Sequence, residues 1–158
     1  MAHTYRLERT QFLPLPLDEV FPFFSDAGNL EAITPPSLHF HILTPRPIEM
    51  RSGALIDYRI RLFGVPMYWR TRIETWEPPH RFVDTQLRGP YKLWHHTHEF
   101  TSVPGGTQMI DRVDYELYLG PIGWMAHAAW VQRQLKQIFD YRREAVERLL
   151  IQPAAARS

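Results

Sequence analysis

Between residues 55 and 74 apolar and polar side chains alternate with a period of two. Ile56, Tyr58, Ile60 and Leu62 interleave with Asp57, Arg59 and Arg61, and Met67, Trp69, Thr71 and Ile73 with Arg70, Arg72 and Glu74. Each run reads as a strand with one buried face and one wet face. Residues 81–88, 92–102 and 107–118 continue the pattern, and Val103-Pro104-Gly105-Gly106 joins the last two as a tight hairpin. A weaker alternation over residues 4–12 predicts a first strand, and Leu38, Phe40 and Ile42, alternating with His39 and His41, predict another. Between these two, Val20, Phe21 and Phe24 have helical spacing within residues 18–25, where Pro22 keeps the helix short or bent. Gly28 reads as a stop, Asn29 as the cap of a second short turn, and Pro35-Pro36 as its end.

The period changes near Ile122. From there to Leu150 the residues Val131, Leu135, Ile138, Phe139, Val146 and Leu149 form one helical stripe, with Arg133, Lys136, Asp140, Arg143 and Glu147 on the other faces. At 1.5 Å per residue this helix is about 40 Å long, enough to cross a domain. The predicted fold class is therefore α+β: one strand, two short helices, about six consecutive antiparallel strands and a long C-terminal helix. A sheet of about seven strands must curl. One helix laid in its concave face cannot fill that face along its length, so a cavity is expected.

Composition narrows the function classes. The 158 residues make a single-domain length, read as one domain over 1–152 with a disordered tail over 153–158. Aromatic residues make up 13% of the chain, so the interior must hold much ring surface, packed together or lining a pocket. The net charge of +1 comes without a basic run, which argues against a nucleic-acid partner. The absence of cysteine excludes thiolate catalysis and Cys-based zinc sites. The first residues lack the apolar core of a signal peptide, and no stretch approaches the ~18 apolar residues of a membrane span. A cytoplasmic protein without integral membrane association is expected; the oligomeric state stays open.

The chemistry concentrates in "GPYKLWHHTHEF", residues 89–100. Strand alternation puts Trp94, His96, His98 and Phe100 on one face and His95, Thr97 and Glu99 on the other. The face with aromatic ends should look into the cavity, which leaves His95 to solvent. On the next strand Met109, Asp111, Val113, Tyr115 and Leu117 should point inward. A turn centred on Pro104-Gly105 sets position 98 opposite 111 and position 96 opposite 113, making His98 and Asp111 cross-strand neighbours. Phe82, Asp84 and Gln86 add to the same lining by their own alternation. The candidate ligand-binding residues are therefore Tyr58, Trp69, Phe82, Asp84, Gln86, Trp94, His96, His98, Phe100, Asp111, Val113 and Tyr115. A buried aspartate beside an imidazole can be a self-satisfied polar network or a patch that orients a ligand carbonyl or hydroxyl. Two histidines at i and i+2 with a cross-strand aspartate also make a three-ligand face for zinc. No other part of the chain repeats a ligand spacing, so no metal and no cofactor are expected.

Other chemistry is thin. No phosphate-binding glycine loop exists, and Ser25, Ser37, Ser52 and Ser102 lack a nucleophile-elbow context. Arg142 falls in the apolar stripe of the long helix, as a cavity anion clamp or, as the favoured reading, an arginine snorkelling to water. Trp124, Met125 and Trp130 fit a greasy mouth, a membrane-touching edge or, as the favoured reading, simple core packing.

The order of elements resembles the helix-grip domains of the START, polyketide-cyclase and birch-pollen-allergen (SRPBCC) superfamily. The strings "LPLPLDEVFPFFSDAGNLEAITPP", "IDYRIRLFGVPMYWRTRIETWEPPHRFVDTQLRGPYKLWHHTHEF", "GGTQMIDRVDYEL" and "IFDYRREAV" resemble a bacterial subgroup described as cyclase/dehydrase or ligand-binding. The resemblance covers nearly the whole chain. It implies a curved antiparallel sheet wrapped around the long C-terminal helix, and a ligand of polyketide, lipid or quinone class. The leading expectation is a carrier or binding module for a small hydrophobic molecule with a polar end. The alternative is a cyclase or dehydratase in which His98 is the general base and Asp111 fixes its tautomer. A protein-interaction module acting through the outer sheet face is the third class.

Overall fold

A computed structural model of the chain describes residues 3–62, 64–118 and 120–157, without the side chains of His127 and Ala128. The strands are β1 (Tyr5–Leu13), β2 (His41–Ile42), β3 (Leu55–Leu62), β4 (Val65–Glu77), β5 (Arg81–Arg88), β6 (Leu93–Val103) and β7 (Gly106–Glu116). They form one antiparallel sheet in the order β1-β7-β6-β5-β4-β3-β2, so the first strand closes on the last and the chain then meanders back. Pairing shifts at Arg70/Thr71 and Ile73/Thr75 mark irregularities between β4 and β5, the kind of feature that bends a strand and deepens sheet curvature. Ile56, Tyr58, Ile60 and Leu62 are buried on β3, and Trp69, Thr71 and Ile73 on β4, as their alternation predicts.

Two short helices follow β1. Helix α1 (Leu17–Phe24) buries Val20, Phe21 and Phe24, with Asp18 and Glu19 in its first turn where the helix dipole favours acids. Helix α2 (Ala27–Ala32) starts one residue after Asp26, whose carboxylate accepts from Gly28 N at 2.8 Å. This corrects two expectations. Asp26, not Asn29, is the cap, and Gly28 lies inside the helix rather than stopping one. Asn29 instead donates its Nδ2 to Phe23 O at 2.9 Å, which ties α2 to the end of α1.

The strand expected over Leu38 to Ile42 is also shorter than its alternation suggests. Pro36–Leu38 wind into a 3₁₀ turn, and His39 is left-handed at φ 47°, which breaks the extended run before His41. Only His41–Ile42 pair with β3.

The C-terminal region is one long helical element: α3 (Gly120–Ala126), α4 (Gln132–Val146) and α5 (Gln152–Ala156), joined by π turns at His127–Val131 and Glu147–Ile151. Helical structure thus runs past residue 152, where the sequence reading ends the domain. Leu135, Phe139, Arg142, Ala145 and Val146 are the buried face of α4. Leu149 leaves the expected stripe and is 39% exposed, because the second π turn shifts the helical phase there. The core-packing expectation for Trp124, Met125 and Trp130 fails as well: they are 45%, 74% and 62% exposed. On α3 the inward position is Gly123, where a Cβ would meet Tyr118 O at 2.3 Å, so the bulky side chains turn outward. Among the described residues no helix is long and apolar enough to cross a membrane.

The buried residues form two apolar clusters. One gathers β3, β4, Tyr91, Tyr115, Leu135 and Phe139; the other gathers α1, Phe82, Phe100, Met109 and Val146. The polar groups of β5, β6 and β7 lie between them.

Candidate functional site

The β6–β7 hairpin sets the site. Pro104 followed by Gly105 at φ 85° is the type II turn combination, and it fixes Val103 opposite Gly106. Counting back from that turn puts His98 opposite Asp111 and His96 opposite Val113, as predicted. On the other side of β6, Asp84 pairs with His96 and Phe82 with His98. Two histidines on a central strand are thus flanked by one aspartate on each neighbouring strand.

Their side chains interlock. His96 Nε2 donates to Asp111 Oδ1 at 2.9 Å, and His98 Nε2 donates to Asp84 Oδ2 at 2.7 Å. His98 Nδ1 lies 3.1 Å from Asp111 Oδ1, close enough for charge to act but out of line for a hydrogen bond. The two imidazoles sit 3.8 Å apart, and His98 stacks on Phe82 at 4.1 Å. Asp111 also faces Arg142, whose Nη2 is 3.5 Å from Oδ1. Arg142 is only 9% exposed and lies over the rings of Phe24 and Phe139. The snorkelling expectation is therefore overturned. The arginine is held inside, where a carboxylate and two rings replace water.

Burial and charge oppose one another across this cluster. Burial pushes the Asp111 carboxyl up, but Arg142 and the two histidines hold it well below the usual range. Asp84 is likewise held low against burial, mainly by its bond from His98 and the charge of His96. Burial lowers His96, and the neighbouring His98 lowers it further. For His98 burial also acts downward, yet Asp111 and Asp84 outweigh it and the net shift is upward.

This cluster forms part of the wall of a cavity of about 170 Å³ between the sheet and α4. One water molecule needs roughly 10–15 Å³ by the same measure, so the space holds far more than a single water. Tyr58, Trp69, Phe82, Asp84, Trp94, His96 and His98 line it. Five other candidates do not. Asp111 lies one layer behind, in a small crevice with Arg9, Gln11 and Arg142. Val113 is fully buried core, and Phe100 packs with Phe21, Phe24 and Phe82 in the second cluster. Tyr115 stacks on Tyr5. Gln86 clamps the β5–β6 connection, donating to Tyr91 O at 2.7 Å and accepting from Tyr91 N at 3.1 Å.

The lining also has members that the alternation did not reveal. Tyr91 comes from a turn without periodicity, and Phe24 and Ile33 from the short helices. Leu135, Ile138 and Arg142 belong to the helical stripe, which was legible, but the sequence does not say what that stripe faces. Two buried donors on this lining, Trp69 Nε1 and Arg142 Nε, have no hydrogen-bond partner among the described residues.

The buried phenols give a direct check of the apolar wall. Burial raises Tyr58 and Tyr91 far above an ordinary phenol, and Tyr115 is pushed up to about 12, by burial and then by Tyr5. Unfolded tyrosines ionise near pH 10. The stability these groups contribute is therefore complete below about pH 10 and is lost as pH rises toward their folded values. A tyrosinate absorbance titration should show these three of the seven tyrosines silent near pH 10 and ionising only on alkaline unfolding. Seven tyrosines titrating together near pH 10 while circular dichroism stays native would contradict this burial.

Comparison with known proteins bears on the fold and the family. A family profile described as polyketide cyclase / dehydrase and lipid transport matches residues 4–147. No curated protein matches the chain. Among solved structures, an uncharacterized protein from Rhizobium leguminosarum is similar with TM-score 0.67 and 16% identity, over 94% of this chain and 97% of that one. Protein Ms6760 from Mycobacterium smegmatis is similar with TM-score 0.67 and 18% identity, over 92% and 90%. Ara h 8.0201 is similar with TM-score 0.64 and 15% identity, over 91% and 98%. At these identities the likeness shows the fold: the helix-grip arrangement.

Proposed function

Because the chain belongs to the family described as polyketide cyclase / dehydrase and lipid transport, we propose that it binds a small hydrophobic molecule with an oxygen-bearing polar end in the cavity beneath α4, as a carrier or binding module. One observation carries this reading. The cavity is walled by the rings of Tyr58, Trp69, Tyr91 and Trp94, with the Asp84, His96 and His98 side chains as a polar patch and two buried donors unpartnered among the described residues. An apolar body with acceptor oxygens would use the rings for stacking and Trp69 Nε1 and Arg142 Nε for hydrogen bonds.

The cyclase or dehydratase reading uses the same cavity. It is favoured less because each nitrogen of His98 faces a carboxylate, Nε2 toward Asp84 and Nδ1 toward Asp111. A general base needs a free lone pair within reach of the substrate proton. Asp84, not Asp111, is the aligned partner that would fix its tautomer.

The test is native mass spectrometry of gently purified protein, followed by titration with a fluorescent hydrophobic probe. A co-purified small molecule is expected, and Ile138→Trp, which fills the cavity from the helix side, should abolish probe binding. No adduct, together with probe binding unchanged in Ile138→Trp, would remove the reading.

A further inference from the structure

We propose that Asp84, His96 and His98 form a binding site for one divalent first-row transition-metal ion on the cavity wall, with Asp111 orienting the two imidazoles from behind. Asp84 is the residue that makes the difference. The sequence pattern offers Asp111 as the third ligand beside the two histidines, whereas the β5–β6 register brings Asp84 from the other side of the histidine strand. One ligand atom from each of Asp84, His96 and His98 lies within 4.8 Å of the other two.

The orientation of the rings matters more than their proximity. His96 gives its Nε2–H to Asp111, so in the neutral ring Nδ1 carries the lone pair, and Nδ1 is the atom 3.9 Å from Asp84 Oδ2. His98 shows Nε2 to the same Asp84 oxygen at 2.7 Å and Nδ1 to the same Asp111 oxygen at 3.1 Å. Each imidazole therefore turns one nitrogen to Asp84 Oδ2 and the other to Asp111 Oδ1. A histidine that ligates a metal through one nitrogen commonly gives its other N–H to a carboxylate, and Asp111 is placed to serve both rings. For His98 this takes the Nδ1–H tautomer and a small ring rotation, which would also give Nδ1 the hydrogen bond it lacks.

Metal–ligand distances near 2.0–2.2 Å in tetrahedral geometry put ligand atoms roughly 3.3 Å apart. The 2.7 Å and 3.9 Å separations of Asp84 Oδ2 from the two rings bracket that spacing. Charge supports the same division of roles. Arg142 offsets Asp111, which leaves Asp84 as the carboxylate facing the ion. Three protein ligands would leave a coordination position open. Because these residues line the cavity, that position is available to an oxygen of whatever the cavity holds.

The test needs no organic ligand, so it stands or falls separately from the carrier reading. Untagged protein is stripped with a chelator, loaded with Zn2+ alone, passed through a desalting column and assayed for bound zinc by mass spectrometry. About one equivalent per chain is expected, with a melting temperature raised by several degrees. Asp84→Asn and His96→Gln should each lower retention at least tenfold, while the other-face variant His95→Gln keeps it. Should the cluster variants fail to fold, Co2+ loading of the wild type decides: the visible absorption of a four-coordinate nitrogen–oxygen site is expected. Retention below a tenth of an equivalent in the wild type, equal retention in Asp84→Asn and His95→Gln, or a six-coordinate aqua-like cobalt spectrum would overturn the site.

Discussion

Asp111→Ala should lower the free energy of unfolding by roughly 3–5 kcal/mol, seen as an earlier urea midpoint at unchanged slope. The carboxylate is 6% exposed and faces His96, His98 and Arg142 at 2.9, 3.1 and 3.5 Å. Removing it strips the buried guanidinium of its only carboxylate within 4 Å among the described residues and leaves the His96 N–H without its acceptor. Breaking a buried pair from one side costs more than removing both members, because the second charge stays behind uncompensated. The double variant Asp111→Ala, Arg142→Leu should therefore lose less than the sum of the two single losses, by about 1 kcal/mol or more. Strict additivity, or a single-variant loss below about 1 kcal/mol, would mean that the groups do not interact as placed.

Phe100→Ala should cost about 3–5 kcal/mol in stability without changing the binding of a cavity probe to the folded fraction. Phe100 is 2% exposed and is not itself in the cavity lining; it packs against Phe21 and behind Phe24 and Phe82, which are. The large loss comes from the apolar surface removed and from a void that rigid neighbours cannot close. Trp69→Phe gives the contrast: a ring is kept in the cavity wall, the indole N–H is lost, and probe or ligand affinity should fall more than stability. If Phe100→Ala weakens probe binding in proportion to Trp69→Phe, Phe24 and Phe82 do not keep their places in the cavity wall without the ring behind them.

The pair Phe100 and Trp69 also shows where sequence reasoning works and where it stops. Alternation tells which residues of a strand share a face, and the Pro104-Gly105 turn sets the register that aligns His98 with Asp111. Both signals are local, so both were legible. Position along the strand is not. Trp94, His96, His98 and Phe100 share the inner face of β6, but the cavity ends at His98 because Phe21 and Phe24 from α1 cover Phe100. Which stretch of an inner face stays uncovered depends on helices whose docking no strand pattern encodes. The same holds for Arg142. Its place on the helical stripe was readable, but its burial depends on a carboxylate from β7 and on Phe24. Asp84 was in view as part of the lining, while its hydrogen bond to His98 depends on the β5–β6 register, which has no two-residue turn to announce it.

The outward side chains at the start of the long helix bear on how molecules of this protein meet one another. Ile122, Trp124, Met125 and Trp130 each expose 45% or more of their surface. A net charge of +1 at pH 7 supplies almost no long-range repulsion between copies. The balance of forces in a crowded solution is thus set at short range, by rings and a thioether brushing together. Added salt has little repulsion to screen, so it should change the clarity of such solutions little, whereas a few extra like charges beside Trp130 should improve it.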